Sequence, residues 1–303
     1  MGVSIAAAQN TLELYKLGYL KNSKNIFELG SQDLHIKSKD LKQLFDDAGL
    51  DSKVVDEYPN LDNWPGQPRC SARFFYESLG IKDYHCMDTN GNHGSIVHDL
   101  NKPFEDKSKF NKFDIVTDHG TTEHIFNIAE CYKTMHNLTK PGGYMIVSTA
   151  ALNSLNHAYF LFDESFIEGI AAANKYKVIY NSYVLHFKAN TKSGSAYQFH
   201  IPKNKILFNS IDFAKLSQVN IYGVLQKTTD EEFKIPYQGN LMKDVYNLPG
   251  GFNRIHHREP MGYTYIPSST LTIEEAPLRY LIKALIVKFK KILRIKMAKR
   301  VKR

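Results

Sequence analysis

The chain has 303 residues, 43% hydrophobic and 23% charged. That is room for one large α/β domain with additions, or at most two domains, and it is not the composition of a disordered polymer. The formal charge of +8 is concentrated at one end: residues 276–303 carry eleven of the 39 lysines and arginines and no acid, leaving the rest slightly acidic. A basic surface for nucleic acid is therefore not expected on the main body. The three cysteines, Cys70, Cys86 and Cys131, form no CxxC pair, which argues against a disulfide scaffold or a cysteine zinc site and suits a reducing cytoplasm. Met1 to Gln9 lacks the basic start and apolar core of a signal peptide, and no apolar run nears the roughly 18 residues of a membrane span.

In chain order, residues 5–20 read as a helix. Lys24 to Gly30 is a short apolar run ending in an acid and a glycine, the pattern of a buried strand entering a tight turn. Residues 34–80 are mixed, with helix expected over 40–48 and 72–79 and a proline-containing loop over 58–68. Three further strands are expected at 84–88, 95–99 and 113–118, then a helix over 123–138 closed by Lys140-Pro-Gly-Gly143, and a fifth strand at 144–149. A helix over 163–175, a strand over 177–187 and a last strand over 219–227 complete the series. Strands alternating with helices imply a parallel, doubly wound sheet.

The order of these features resembles the class I, Rossmann-like methyltransferases that use S-adenosylmethionine. The matching residues are Glu28-Leu29-Gly30 at the first strand's end, Asp88 at the second's, Asp99-Leu100 after the third, residues 114–125 around the fourth, residues 140–143 before the fifth, and Tyr222 to Lys227 as the final strand. The likeness spans about residues 24–228. It implies an α/β fold with a doubly wound, mostly parallel seven-stranded sheet, its last strand antiparallel, and S-adenosylmethionine as cofactor. It also implies that Asp88 holds the ribose hydroxyls and Asp99 the adenine amine. Two departures stand out. Ser31, Gln32 and Asp33 occupy positions where further glycines often occur, and Glu28 and Asp88 lie 60 residues apart where about 20 is usual. A helical insertion over 34–80, forming a lid on the cofactor, accounts for the second.

The chemistry follows from these positions. Gly30 lets backbone approach the methionine part of the cofactor, and no pyrophosphate is present to require a full glycine cradle. The cofactor contacts expected are Glu28, Gly30, Ser31, Gln32, Asp88, Thr89, Asp99, Leu100, Asp118 and His119. Methyl transfer is mostly positioning. A hydroxyl acceptor gains from a general base, for which His157 is the first candidate, then His124 and His119. Adjacent His256 and His257 lack a nearby carboxylate cluster, so no metal site is expected there. Tyr159, Tyr176, Tyr183 and Tyr197 suit a sugar, so the acceptor expected is a small molecule or glycan, methylated on oxygen. Two alternatives remain: a degenerate methyltransferase fold that only binds, and an NAD-dependent oxidoreductase, for which one glycine is too few. The domains expected are an N-terminal helix (1–23), the cofactor-binding domain (24–230), an irregular extension (231–276) and a basic amphipathic helix (277–303). In that last helix, apolar residues from Leu278 onward form a stripe beside a lysine/arginine face, a pattern that suits peripheral contact with the inner face of a membrane.

Overall fold

The computed structural model describes residues 2–152, 154, 156–187, 195–200 and 216–237. The extension beyond residue 237, with His256, His257 and the basic tail, lies outside the described residues.

The sheet is built on β2 (Asn25–Leu29), with β4 (Asp83–Asp88) and β5 (Ile96–Val97) on one side and β6 (Phe113–His119) and β7 (Thr139–Leu152) on the other, all parallel. Beyond β7 lies β10 (Leu216–Gln226), antiparallel to both its neighbours β7 and β8 (Lys177–Phe187). The doubly wound, mostly parallel sheet and its antiparallel final strand are as read from the sequence. An eighth strand, β9 (Ser195–His200), pairs antiparallel with β8 at the edge.

Each strand alternates between two buried faces. On β2, Ile26 packs with Tyr84, Ile115, Ile146 and Tyr222, while Phe27 and Leu29 pack with Met87, Val116 and Val147 on the other side. The first face is covered by α1 (Ile5–Lys16), α2 (Ser38–Asp47) and α3 (Arg73–Ser78); the second by α4 (Ile128–Leu138) and α5 (Glu164–Ala173). Period-two burial on both faces is why these strands read as nearly continuous apolar runs. Phe27 is fully buried and packs edge-on to Phe113 at 5.0 Å; truncation of such a ring typically costs 3–5 kcal/mol, taken as roughly that here.

Several local details differ from the sequence reading. The third strand shrinks to Ile96–Val97 because the Asp99 carboxylate turns the chain, accepting from both nitrogens of Asn101. The helix expected from residue 123 begins at Ile128; Thr122–His124 is a separate 3-10 turn, closed by Asp118 Oδ1, which accepts from the Thr121 and Thr122 amides. Lys140 to Gly143 is part of β7 rather than a turn before it. Gly143 is needed there: a Cβ would lie 2.9 Å from the carbonyl oxygens of both Lys140 and Phe113. The Lys227 ammonium, fully buried just past β10, donates to Asn111 Oδ1 and to the carbonyls of His136 and Thr139, locking the sheet's end to α4.

The insertion between β2 and β4 holds β3 (Asp33–His35), α2, two 3-10 turns and α3. β3 pairs in parallel with β1 (Gly2–Ser4), so α1 starts directly beside the turn after β2. Ser4 caps α1 by accepting from the Ala7 amide. Among the described residues, no helix is long and apolar enough to cross a membrane.

Candidate functional site

The chain runs outward from β2 to β4 and β5, then returns to β6 and β7 on the other side. The reversal puts a crevice at the carboxyl ends of β2 and β6, where open α/β sheets bind ligands. Gly30 stands at this edge with φ +84°, a backbone conformation that favours glycine, and donates to the Met87 carbonyl.

Three loops meet there and are tied together. Asp88 Oδ2 accepts from the Ser31 amide at 2.9 Å and from Ser31 Oγ at 3.0 Å, clasping the turn after β2 to the end of β4. Ser31 Oγ also reaches Asn90. Gln32 Nε2 donates to the Leu29 carbonyl and to Thr121 Oγ1, which joins the same turn to the loop after β6. A pocket of about 470 Å³ opens beside Ser31 and Asp33, walled by Asn90, Asn92 and His93 on one side and by Gln67, Pro68 and Arg69 of the insertion on the other. That volume lies in the range of small-molecule clefts, roughly 300–1,000 Å³.

Asp33 latches the wall. It pairs with Arg69 at 3.0 Å and His93 at 2.7 Å, and His35 lies 3.9 Å away. Partial burial pushes its carboxyl up, but these donors outweigh burial and hold it well below the usual carboxylate range.

On the β6/β7 side, Glu123 is buried. Its Oε1 lies 3.5 Å from His157 Nε2, while Oε2 has no hydrogen-bond partner. The rings of His124 and His157 meet edge to face at 4.9 Å. The two loops are joined through backbone, because the Glu123 carbonyl accepts from the amides of Tyr159 and Phe160. Burial pushes the Glu123 carboxyl up to about 8, and burial with the neighbouring His157 lowers His124. Phe126 and Tyr159, both largely exposed, pack edge to face beside this cluster.

A methyltransferase-domain family model matches residues 93–215. Over that stretch, less than half of the chain, the sequence resembles a methyltransferase domain. The strand order and the antiparallel β10 are those the sequence resemblance implied. Similar solved structures include a S-adenosylmethionine-dependent methyltransferase from Archaeoglobus fulgidus (10% identity, 74% of this chain and 94% of that one, TM-score 0.39). Another is the 1,6-didemethyltoxoflavin-N1-methyltransferase of Burkholderia thailandensis, solved with 1,6-didemethyltoxoflavin and S-adenosylhomocysteine (10% identity, 74% and 79% covered, TM-score 0.38). No curated protein matches the chain.

The fold distributes the sequence candidates unevenly. Gly30, Ser31, Gln32 and Asp88 come together at the crevice, with exposed Thr89 beside them. Asp88 is 8% exposed and already engaged by Ser31, so in this structure it organises the turn. Glu28 does not reach the edge. Its position on β2 turns it under the sheet, where Tyr84 donates to one carboxyl oxygen at 2.5 Å and Thr117 to the other at 3.1 Å. Asp118 is also withdrawn, folded back onto Thr121 and Thr122. Asp99 forms a surface turn and pairs with Lys102, and Leu100 is buried in the core. His119 faces Tyr76 of α3 at 3.3 Å, and burial lowers it to about 4.

Of the four tyrosines expected to suit a sugar, Tyr159 is exposed beside the Glu123 and His157 loops. Tyr176 is buried against His136, Tyr183 is buried against Glu164, and the side chain of Tyr197 lies outside the described residues. Glu123 and Arg69 were missed as site residues. An acid opening the helix expected from residue 123 suits a helix start as well as a site, and Arg69 sits in an insertion whose fold no periodicity announces.

Polar atoms at the crevice remain open to a ligand with hydrogen-bonding groups of its own. The buried Gln32 Oε1, His119 Nδ1 and Glu123 Oε2 lack partners, and native interiors rarely leave such atoms unpaired. They line the loops that meet at the switch point, so S-adenosylmethionine fits the residues present.

Proposed function

We propose that the protein is a S-adenosylmethionine-dependent methyltransferase that acts on oxygen of a small molecule or glycan. The observation carrying this reading is the two-sided crevice: a polar pocket walled by the Ser31 turn, Asn90–His93 and the insertion, and a Glu–His–His cluster with exposed aromatic rings across the switch point. The pocket side takes the cofactor. Gly30 and the Ser31–Asp88 clasp shape the turn under it, and residues 67–69, latched through Asp33, act as the lid.

The cofactor supplies a methyl carbon made electrophilic by its sulfonium. The chain's residues orient the acceptor for in-line attack and remove its proton. Phe126 and Tyr159, exposed and edge to face, offer apolar surface against which a ring can pack. His157, beside the Glu123 carboxyl, stands where it can accept the hydroxyl proton as the new carbon–oxygen bond forms. His124 is second in line, and His119 is held neutral by burial, away from this cluster. The basic segment 277–303 would bring the enzyme to a membrane-borne acceptor; liposome flotation with and without it tests that.

Calorimetry on the full chain tests the main reading. S-adenosylmethionine and S-adenosylhomocysteine are expected to bind at one site each, with no binding of NADH. Absence of binding by either sulfur ligand refutes the proposal. Binding without methyl transfer to any acceptor in a screen of hydroxylated aromatics and sugars favours a binding-only protein.

A further inference from the structure

We infer that Glu123, His124 and His157 form a site for a divalent first-row transition ion, Zn2+ in the first instance, on the acceptor side of the crevice. One ligand atom from each residue lies within 4.8 Å of the other two. Two imidazoles and a carboxylate make a His2Glu donor set of the kind that holds catalytic zinc and leaves coordination positions open. Ligand atoms about 2.0–2.2 Å from one ion in a tetrahedron sit roughly 3.4 Å apart. Glu123 Oε1 and His157 Nε2 are already 3.5 Å apart.

Independent features of the fold point the same way. Glu123 is 2% exposed, yet its Oε2 has no partner, and a cation within reach supplies what an interior carboxylate otherwise lacks. Gly120, at φ +77°, takes the left-handed backbone that turns the chain from β6 into the loop carrying Glu123. The loops are held in register by the paired amides of Tyr159 and Phe160 on the Glu123 carbonyl and by His157 N on the Ser154 carbonyl. The three ligands thus come from a backbone frame that persists without the ion. With three protein ligands, the open positions face the side where His157 is exposed, next to Phe126 and Tyr159. An acceptor carrying an oxygen on or beside an aromatic or sugar ring can lay the ring on those side chains and its oxygen on the ion, which lowers the oxygen's proton affinity. In that state the two histidines are ligands, and the hydroxyl is acidified by the ion rather than by His157 itself. Only this acceptor role rests on the methyltransferase reading; ion binding does not.

The test uses the full chain after chelator treatment, titrated with Zn2+ by calorimetry and with Co2+ by visible absorption. The expected result is one ion per chain with a tetrahedral or five-coordinate Co2+ band. His157→Ala and Glu123→Gln are each expected to weaken Zn2+ binding by about 100-fold or more, whereas a His256→Ala/His257→Ala variant keeps it. His157→Ala changes only an exposed side chain, so its folding is checked by an unchanged melt. Wild-type chain that takes up no stoichiometric ion, or His157→Ala that binds as tightly as wild type, overturns the proposal. S-adenosylmethionine binding measured on the ion-free chain separates the two readings, since it survives if only the ion site is wrong.

Discussion

Glu28 offers a direct check of how the sheet's parity decides chemistry. Its carboxyl is fully buried between β4 and β6, accepting from Tyr84 and Thr117, and burial raises it from the ordinary 4.5 to about 7. A carboxyl raised in the folded state keeps its proton at pH values where the unfolded chain has lost it. Between pH 4.5 and 7 the native state therefore binds more protons than the unfolded state, and stability falls as pH rises through that window. The contribution is fully present below about 4.5 and gone above about 7. A shift of this size corresponds to roughly 3 kcal/mol, of which about 2–3 kcal/mol is lost between pH 5 and 8.

Glu28→Gln removes the titration while an amide oxygen can still accept from Tyr84. Urea melts of wild type and variant at half-unit steps from pH 5 to 8 are expected to diverge, with the variant gaining on wild type as pH rises. For a domain of this size the same difference is about 5–10 °C in Tm at pH 8. The reference offset at pH 5 reports only how well glutamine packs; the slope of the difference carries the prediction. A wild-type minus variant difference that stays flat from pH 5 to 8 refutes the reasoning. S-adenosylmethionine affinity is expected to change less than threefold, because the carboxyl lies under the sheet and not at its edge.

Other perturbations separate the parts of the site. Asp88→Ala removes the acceptor of Ser31 N and Oγ and is expected to cost roughly 1–3 kcal/mol and to weaken S-adenosylmethionine binding at least tenfold by calorimetry. Lys227→Met leaves the buried carbonyls of His136 and Thr139 unpaired; a loss of roughly 2–4 kcal/mol is expected in urea melts, with cofactor affinity unchanged. His136, buried between Tyr176 and the Glu231 carbonyl, is lowered by burial to about 4. The unfolded chain takes up that proton first, so stability is complete above about 6.5 and falls as pH drops toward 4; His136→Gln is expected to show a shallower acid limb in pH melts.

The fold was legible because apolar runs and their order survive any error of one or two residues at an element's end. β8 was placed at 177–187, which is the strand observed, and β2, β4 and β6 are each within two residues of their expected bounds. The site was less legible, because a list of acids at strand ends does not say which face each one takes. Glu28 and Asp118 illustrate this. Alternation along β2 and β6 sends Glu28 beneath the sheet with Tyr84 and Asp118 onto the Thr121–Thr122 turn, although both stand one residue from the crevice in sequence.

The acceptor-side cluster shows the complementary gap. Glu123 and His157 are 34 residues apart, joined only because β7 runs parallel beside β6 and returns the chain to the same edge. The neighbouring loop then docks on the Glu123 carbonyl through the Tyr159 and Phe160 amides. The sequence places His157 after the fifth strand and so at the active edge, but it leaves Glu123 evenly divided between that edge and a helix start, which an acid after two threonines suits. What changes that assignment is the early close of the turn by Asp118, which leaves Glu123 ahead of α4 with its carboxylate buried and half unpartnered. The acid withdrawn from the crevice is thus the one that builds the turn presenting Glu123 to it.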